Sequence, residues 1–220
     1  MNVYVYCEGQ TEESFINEVL EPYIFARCEL ELKPIICVTK QTPRQRFRGG
    51  LFKYDKAKRE IERLCKEHHN EYVTTMLDFY AFPDDAPGMN CINKISDIYE
   101  RVEYVESEIQ KDINSKNFIP NLMLHEFESL VFVNPELLSN YYPNLESIQK
   151  LVDIRDSFQS PEHIDSGKET APSKRIIEEI PRYSKIVIGT AITKDIGVDG
   201  LRKECGHFSK WIDKLCSLPI

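Results

Sequence analysis

The first thirteen residues, MNVYVYCEGQTEE, constrain the fold more than any other stretch. Val3 and Val5 alternate with Tyr4 and Tyr6, as β-branched and aromatic residues do in a strand. The apolar run breaks at Glu8-Gly9 and a helical pattern begins at once. Gly9 is expected to permit a tight exit, and Thr11, Glu12 and Glu13 give the helix an acid-rich first turn that suits its dipole. A strand passing directly into a helix is the opening unit of an open α/β sheet, where ligands and catalytic groups collect at the carboxyl ends of strands. Glu8 stands at such an end, with Glu12 one helical turn beyond it. Two carboxylates at that spacing can converge on one cation.

The rest of the chain continues the alternation. A helix is predicted over 11–26, with Phe15, Ile16, Val19 and Leu20 on one face, followed by a strand over 30–39 in which Pro34 implies an edge position or a bulge. Residues 40–50 form a basic loop, then come an amphipathic helix over 54–68 (Ala57, Ile61 and Leu64 inward, Cys65 flanking) and a strand over 72–78 ending in Asp78. After a turn-rich segment at 81–90, a long solvated helix is predicted over 91–113 and a strand over 118–124 that runs into His125-Glu126-Phe127-Glu128. Helices are expected near 126–133, 144–154, 173–180, 183–192 and 207–216, with a polar, turn-rich stretch at 157–173. The fold class is therefore α/β: a mostly parallel sheet flanked by helices. Residues 1–133 form the α/β core and 134–220 a helical C-terminal extension packed on it as one compact unit.

Composition narrows the setting. No window approaches a membrane span, and no basic segment followed by an apolar one opens the chain, so a cytoplasmic protein without membrane association is expected. Seven scattered cysteines predict neither a zinc site nor a disulfide framework, but reduced, mostly buried thiols. A net charge of −8 excludes a surface coated in basic charge, yet a local basic patch beside an acidic site remains compatible with nucleic acid. There is no phosphate-binding Gly-x-x-x-x-Gly-Lys-Ser/Thr loop, no Gly-x-Gly-x-x-Gly after a strand and no Gly-x-Ser-x-Gly elbow.

Three groups of acids fall at predicted strand ends: Glu8 with Glu12, Asp78, and Glu126 with Glu128. Hard cations such as Mg2+ and Mn2+ take a few carboxylates together with water and phosphate oxygens. Neighbouring parallel strands would bring these acids to one rim, the layout that phosphodiester chemistry requires. Acids also follow strands simply because they cap helices, so each residue alone is ambiguous. In the basic loop, Lys40, Arg44, Arg46 and Arg48 interleave with Phe47 and end at Gly49-Gly50, a composition suited to a nucleic-acid backbone or to plain solvation. At Thr170-Ala171-Pro172-Ser173-Lys174-Arg175, a threonine cap and a first-turn proline would leave helix N–H groups beside two cations, a natural phosphate site. His125 is either a ligand or a histidine hydrogen-bonded beneath a loop, and His207, near Phe208 and Trp211, looks like packing of the last helix.

The segment Glu8-Gly9-Gln10-Thr11-Glu12 after an apolar strand resembles the first motif of the Toprim fold of primases, topoisomerases and overcoming-lysogenization-defect nucleases. The fuller pattern is similar to a bacterial Toprim-related family of unknown function often encoded beside an ATPase. The matching pieces are CEGQTEE (7–13), VTTMLDFYAFP (73–83), LMLHEFESLVF (122–132), ETAPSKRI (169–176) and IGVDGLRKECGHFSKW (196–211). The resemblance implies a Toprim-like, Rossmann-like core in which Glu8 corresponds to the catalytic glutamate, as general acid or base or as metal ligand. Asp78 matches the first acid of the Asp-x-Asp pair, while the second acid falls at Tyr80. Glu12, Glu126 or Glu128 would then replace the missing carboxylate.

The acid pattern and the resemblance together imply a Mg2+- or Mn2+-dependent nuclease, acting on DNA before RNA, with an ATPase partner in anti-phage or mobile-element defence. Glu8, Asp78 and Lys174 would be catalytic; Glu8, Glu12, Asp78, Glu126 and Glu128 would hold metal; Arg44, Arg46, Arg48, Ser173, Lys174 and Arg175 would bind phosphate. Homo-oligomerisation is left open. The alternative is a non-catalytic Toprim-like docking or nucleic-acid-binding module, favoured by Tyr80. A third reading is a phosphoryl-transfer enzyme acting on nucleotides.

Overall fold

The computed structural model describes residues 1–37, 53–80, 82–164 and 170–219. The opening run forms β1 (Asn2–Cys7), and the chain turns at Glu8-Gly9 into α1 (Gln10–Phe15). Gly9 is extended (φ −162°), a backbone that any residue adopts, so its freedom is not what makes the turn. The helix continues through one wide turn, Ile16–Leu20, into α2 (Glu21–Cys28), and Glu29 stops it in the left-handed conformation. Next in the chain are β2 (Glu31–Ile36), α3 (Tyr54–Glu67) and β3 (Tyr72–Asp78). The basic loop with Lys40, Arg44, Arg46, Phe47, Arg48, Gly49 and Gly50 lies outside the described residues.

The single helix expected over 91–113 is instead a 3₁₀ segment, Met89–Lys94, and a separate α4 (Ile98–Ile113). Asp97 starts α4 by accepting the Glu100 N–H at 2.9 Å, and a chain committed to that cap cannot run helically through it. The strand expected over 118–124 is likewise split into β4 (Phe118–Ile119) and β5 (Leu122–Met123). Pro120 has no N–H for the ladder. Thr75 bridges the gap: its hydroxyl donates to the Asn121 carbonyl at 2.6 Å and accepts the Asn121 N–H at 2.9 Å. The remaining elements are α5 (Glu128–Val131), a 3₁₀ segment at Pro135–Asn140, α6 (Leu145–Asp156), a 3₁₀ turn at Pro161–His163, α7 (Pro172–Glu179), a wide turn at Lys185–Gly189, α8 (Thr190–Glu204) and α9 (Gly206–Cys216). α8 runs well past the predicted end at 192 and bends at Gly197, whose positive φ of 73° suits glycine.

Five strands form one sheet in the order β2-β1-β3-β4, with β5 also pairing β3, and every pairing is parallel. Pro34 sits on the edge strand β2, as its missing N–H demands. Side-chain alternation assigns the two faces. Val3, Val5, Cys7 and Met76 point to one side, where α1, α2 and the C-terminal helices cover them. Tyr6, Val73 and Leu77 point to the other, against α3 and α4. The C-terminal helices thus supply one of the two layers that close the sheet. Trp211 of α9 is 1% exposed and donates its indole N–H to the Thr74 hydroxyl of β3 at 2.9 Å.

Trp211→Phe should therefore cost about 1–3 kcal/mol, because Thr74 is left buried without its partner. A lower urea midpoint at unchanged slope would show it, and adding Thr74→Val should recover part of the loss. A double variant no better than the single one would count against this hydrogen bond.

One cysteine expectation is corrected. Cys28, at the end of α2, is bonded to Cys216, at the end of α9, with 5.3 Å between their Cα atoms. The two are 188 residues apart, so no local spacing could announce the pair. The other five are free thiols, buried except for Cys91. Among the described residues, no helix is long and apolar enough to cross a membrane.

Candidate acidic site at the strand ends

Parallel register places the acids. Cys7 lies opposite Met76, and Asp78 opposite Met123, so the chain just past β1, β3 and β5 emerges at one rim of the sheet. Glu8 comes directly after β1, Asp78 ends β3, and Glu126 and Glu128 lie beyond β5. Between β5 and those glutamates His125 takes a positive φ of 68°, a left-handed step that histidine visits more readily than most residues. Its carbonyl accepts the Tyr80 N–H at 2.9 Å, tying the chain after β3 to the chain after β5.

Four of the five carboxylates accept a backbone N–H, and the fifth pairs with a cation. Glu8 Oε2 accepts the Asp78 N–H at 3.4 Å, and Asp78 Oδ1 accepts the Phe127 N–H at 3.2 Å. Glu126 Oε2 accepts the Ser173 N–H at 2.9 Å, and Glu12 Oε2 accepts the Gly9 N–H at 2.8 Å. Glu12 therefore also caps its own helix. Glu128 Oε2 pairs with Lys185 Nζ at 3.0 Å, while Glu128 Oε1 is buried without a partner among the described residues.

The electrostatics bind these groups into one unit. Burial raises the Asp78 carboxyl well above its ordinary range, and the charges of Glu8, Glu12, Glu128 and Glu126 raise it further. Burial pushes Glu12 up to about 7, helped by Glu8 and Glu128 and opposed by its backbone hydrogen bonds. Burial also raises Glu128, against the pull of Lys185. For Lys185, burial works against the charged form, but Glu128, Glu126 and Asp78 hold its pKa above the ordinary value. Closely spaced carboxylates that cannot all ionise freely form a place where a cation is favoured. Among the described residues, no group of three or more His, Cys, Asp or Glu side chains is spaced as a ready-made metal cage.

Stability should depend on pH accordingly. The Glu12 pKa is higher folded than unfolded, so the native state binds the extra proton between the two values and stability falls as pH rises through that window. A rise from 4.5 to about 7 corresponds to on the order of 3 kcal/mol lost across it. Urea midpoints in chelator should drop between about pH 4.5 and about pH 7. Glu12→Gln should flatten part of that drop; an unchanged slope would show that Glu12 ionises without strain.

The helix-start motif departs from expectation. α7 begins after Ala171, without a side-chain cap, and Thr170 Oγ1 is buried without a partner among the described residues. The Ser173 N–H points instead at Glu126, so the anion at this helix start is the protein's own carboxylate. Lys174 is exposed, and Arg175 donates to the Thr170 carbonyl at 2.7 Å. Tyr80 is partly exposed beside Asp78 in sequence, its N–H spent on His125. His207, expected to pack, is buried and lies 2.9 Å from the Glu106 carboxylate.

Two residues at this site carry no signal in the sequence. Lys185 lies in a stretch of ordinary helical pattern, and nothing local ties it to Glu128. Tyr183, whose hydroxyl is buried without a partner among the described residues, has its own pKa raised by burial and then by Glu128.

A family model described as a domain of unknown function, DUF4276, matches residues 7–216. No curated protein and no solved structure matches the chain.

Proposed function

Starting from a chain that belongs to the DUF4276 family of domains of unknown function, we propose that it is a divalent-metal-dependent phosphodiesterase, a nuclease of Toprim type. The observation that carries this reading is that Asp78 lies buried at one rim with Glu8, Glu12, Glu126 and Glu128, where burial first and their charges second raise its carboxyl. The donor set is all carboxylate oxygen, and one of those oxygens, Glu128 Oε1, is buried and unpartnered among the described residues. That chemistry fits magnesium or manganese. Asp78, Glu128 and Glu12 would hold the ion. When bound, the ion supplies Lewis-acid stabilisation of a phosphate oxygen and a more acidic water. Glu8, fixed by the Asp78 N–H, would accept or return the proton. Glu126, one oxygen of which accepts the Ser173 N–H, would tie the turn after β5 to the start of α7. The motif resemblance adds a nucleic-acid substrate, DNA before RNA, and a partner ATPase in defence against foreign DNA.

Tyr80 favours a second reading, a docking or nucleic-acid-binding module without catalysis, since a tyrosine is a poor ligand for a hard cation. Calorimetric titration of Mn2+ and Mg2+ into wild type and Glu8→Gln/Asp78→Asn separates the two. Binding that is lost in the double variant, together with metal-dependent nicking of plasmid DNA, is the expected result. Absence of binding in both folded proteins would leave the docking reading.

A further inference from the structure

We infer that Lys185, held on Glu128, is the substrate-contacting cation of the acidic site. This rests on the phosphodiesterase reading and names the group that would meet the phosphate.

The pair is asymmetric. Lys185 Nζ lies 3.0 Å from Glu128 Oε2, yet the Glu128 side chain is 1% exposed and that of Lys185 42%. The Lys185 side chain therefore reaches from solvent to the buried carboxylate, on the path by which a phosphodiester would approach. An ammonium has three N–H donors, and among the described residues one is engaged, on Glu128. A carboxylate cluster by itself repels a phosphate; a lysine held at its mouth by one of those carboxylates offsets that repulsion at the point of entry.

A second observation points to something polar arriving from outside. Glu128 Oε1 and the Tyr183 hydroxyl are both buried and unpartnered among the described residues. A Cβ on Gly189 would meet both the Tyr183 hydroxyl and the Phe127 ring, so the phenol lies near the residue that precedes Glu128. Buried polar atoms are almost always paired, so the orphaned Glu128 oxygen beside the Lys185 pair marks where an ion, a water or a substrate oxygen completes the site. The backbone accommodates this arrangement: a Cβ on Gly189 would come within 2.7 Å of the Tyr183 hydroxyl. Glycine at 189 lets the phenol lie against the start of α8.

The test measures two affinities on the same full-length proteins. Mn2+ is titrated by calorimetry, and a fluorescently labelled DNA oligonucleotide is titrated by anisotropy in Mn2+. The variants are Lys185→Gln, which keeps an N–H for Glu128 without the charge, Lys185→Met, and Lys185→Arg, which keeps the charge; thermal melts confirm folding. The expected result is that Lys185→Gln and Lys185→Met weaken the oligonucleotide roughly tenfold or more, with Mn2+ affinity little changed and Lys185→Arg close to wild type. Wild-type oligonucleotide affinity in folded Lys185→Gln would overturn the inference and leave the phosphodiesterase reading standing. Parallel loss of Mn2+ and oligonucleotide binding would also overturn it, by showing that Lys185 only supports Glu128. A wild type that binds neither probe would remove the phosphodiesterase reading, and the inference with it.

Discussion

Asp78→Asn is expected to raise stability in divalent-free buffer and to abolish binding of manganese. Asp78 sits among four glutamates, and burial together with their charges holds its carboxyl well above the ordinary range. Asparagine has the same shape, and its amide oxygen can still accept the Phe127 N–H that Asp78 accepts at 3.2 Å. The substitution removes charge repulsion while keeping the hydrogen bond. A gain of about 1–3 kcal/mol at neutral pH is the consequence, or roughly 2–4 °C in Tm for each kcal/mol in a chain of this size. Binding responds in the opposite direction. Loss of a charged ligand costs several kcal/mol, so manganese affinity and any metal-dependent cleavage should fall roughly a thousandfold. Thermal melts in chelator and in manganese report both effects from one sample. A destabilised variant that binds manganese as well as wild type would mean that Asp78 is structural.

That sign pattern separates a site from a scaffold. A carboxylate that only caps a helix or anchors a loop weakens the fold when neutralised, by about 0.5–2 kcal/mol. A carboxylate kept for a cation strengthens it. Glu126, which accepts the Ser173 N–H at the start of α7, is expected to behave in the first way, and Asp78 in the second.

Reduction of the Cys28–Cys216 bond is expected to have the largest effect on stability of any single covalent change. The bond spans 188 residues, joining the end of α2 to the end of α9. On the chain-entropy account, a loop of that length contributes about 5 kcal/mol as an upper figure. Oxidised protein should therefore melt roughly 10 °C or more above the same protein in a thiol-free reductant. Cys28→Ser should melt with the reduced form and be indifferent to reductant. Mass spectrometry of an unreduced digest supplies the direct check, since the peptides carrying Cys28 and Cys216 should travel as one species. Identical melts with and without reductant, and separate peptides, would rule the linkage out of the protein in solution. α9 is also held by Trp211 in the core, so the reduced chain should stay folded under mild conditions.

The α/β class is readable from the chain alone, because its signals are local. Val3 and Val5 against Tyr4 and Tyr6 declare the two faces of β1 within four residues, and the fold sends them to different clusters. Glu8, Asp78, Glu126 and Glu128 can be nominated together because each lies at the end of a readable strand. The strand break at Pro120 and the helix start at Asp97 escape such a reading, since one proline or one cap outweighs a periodicity spread over many weak contributions. Packing in three dimensions settles the rest. Pairing register brings Glu8 to the Asp78 N–H, and only the folding of the C-terminal layer brings Lys185 to Glu128 and Cys28 to Cys216. None of these contacts leaves a periodic trace along the chain. Each is fixed by where buried surfaces close, and that is a property of the whole packed sheet.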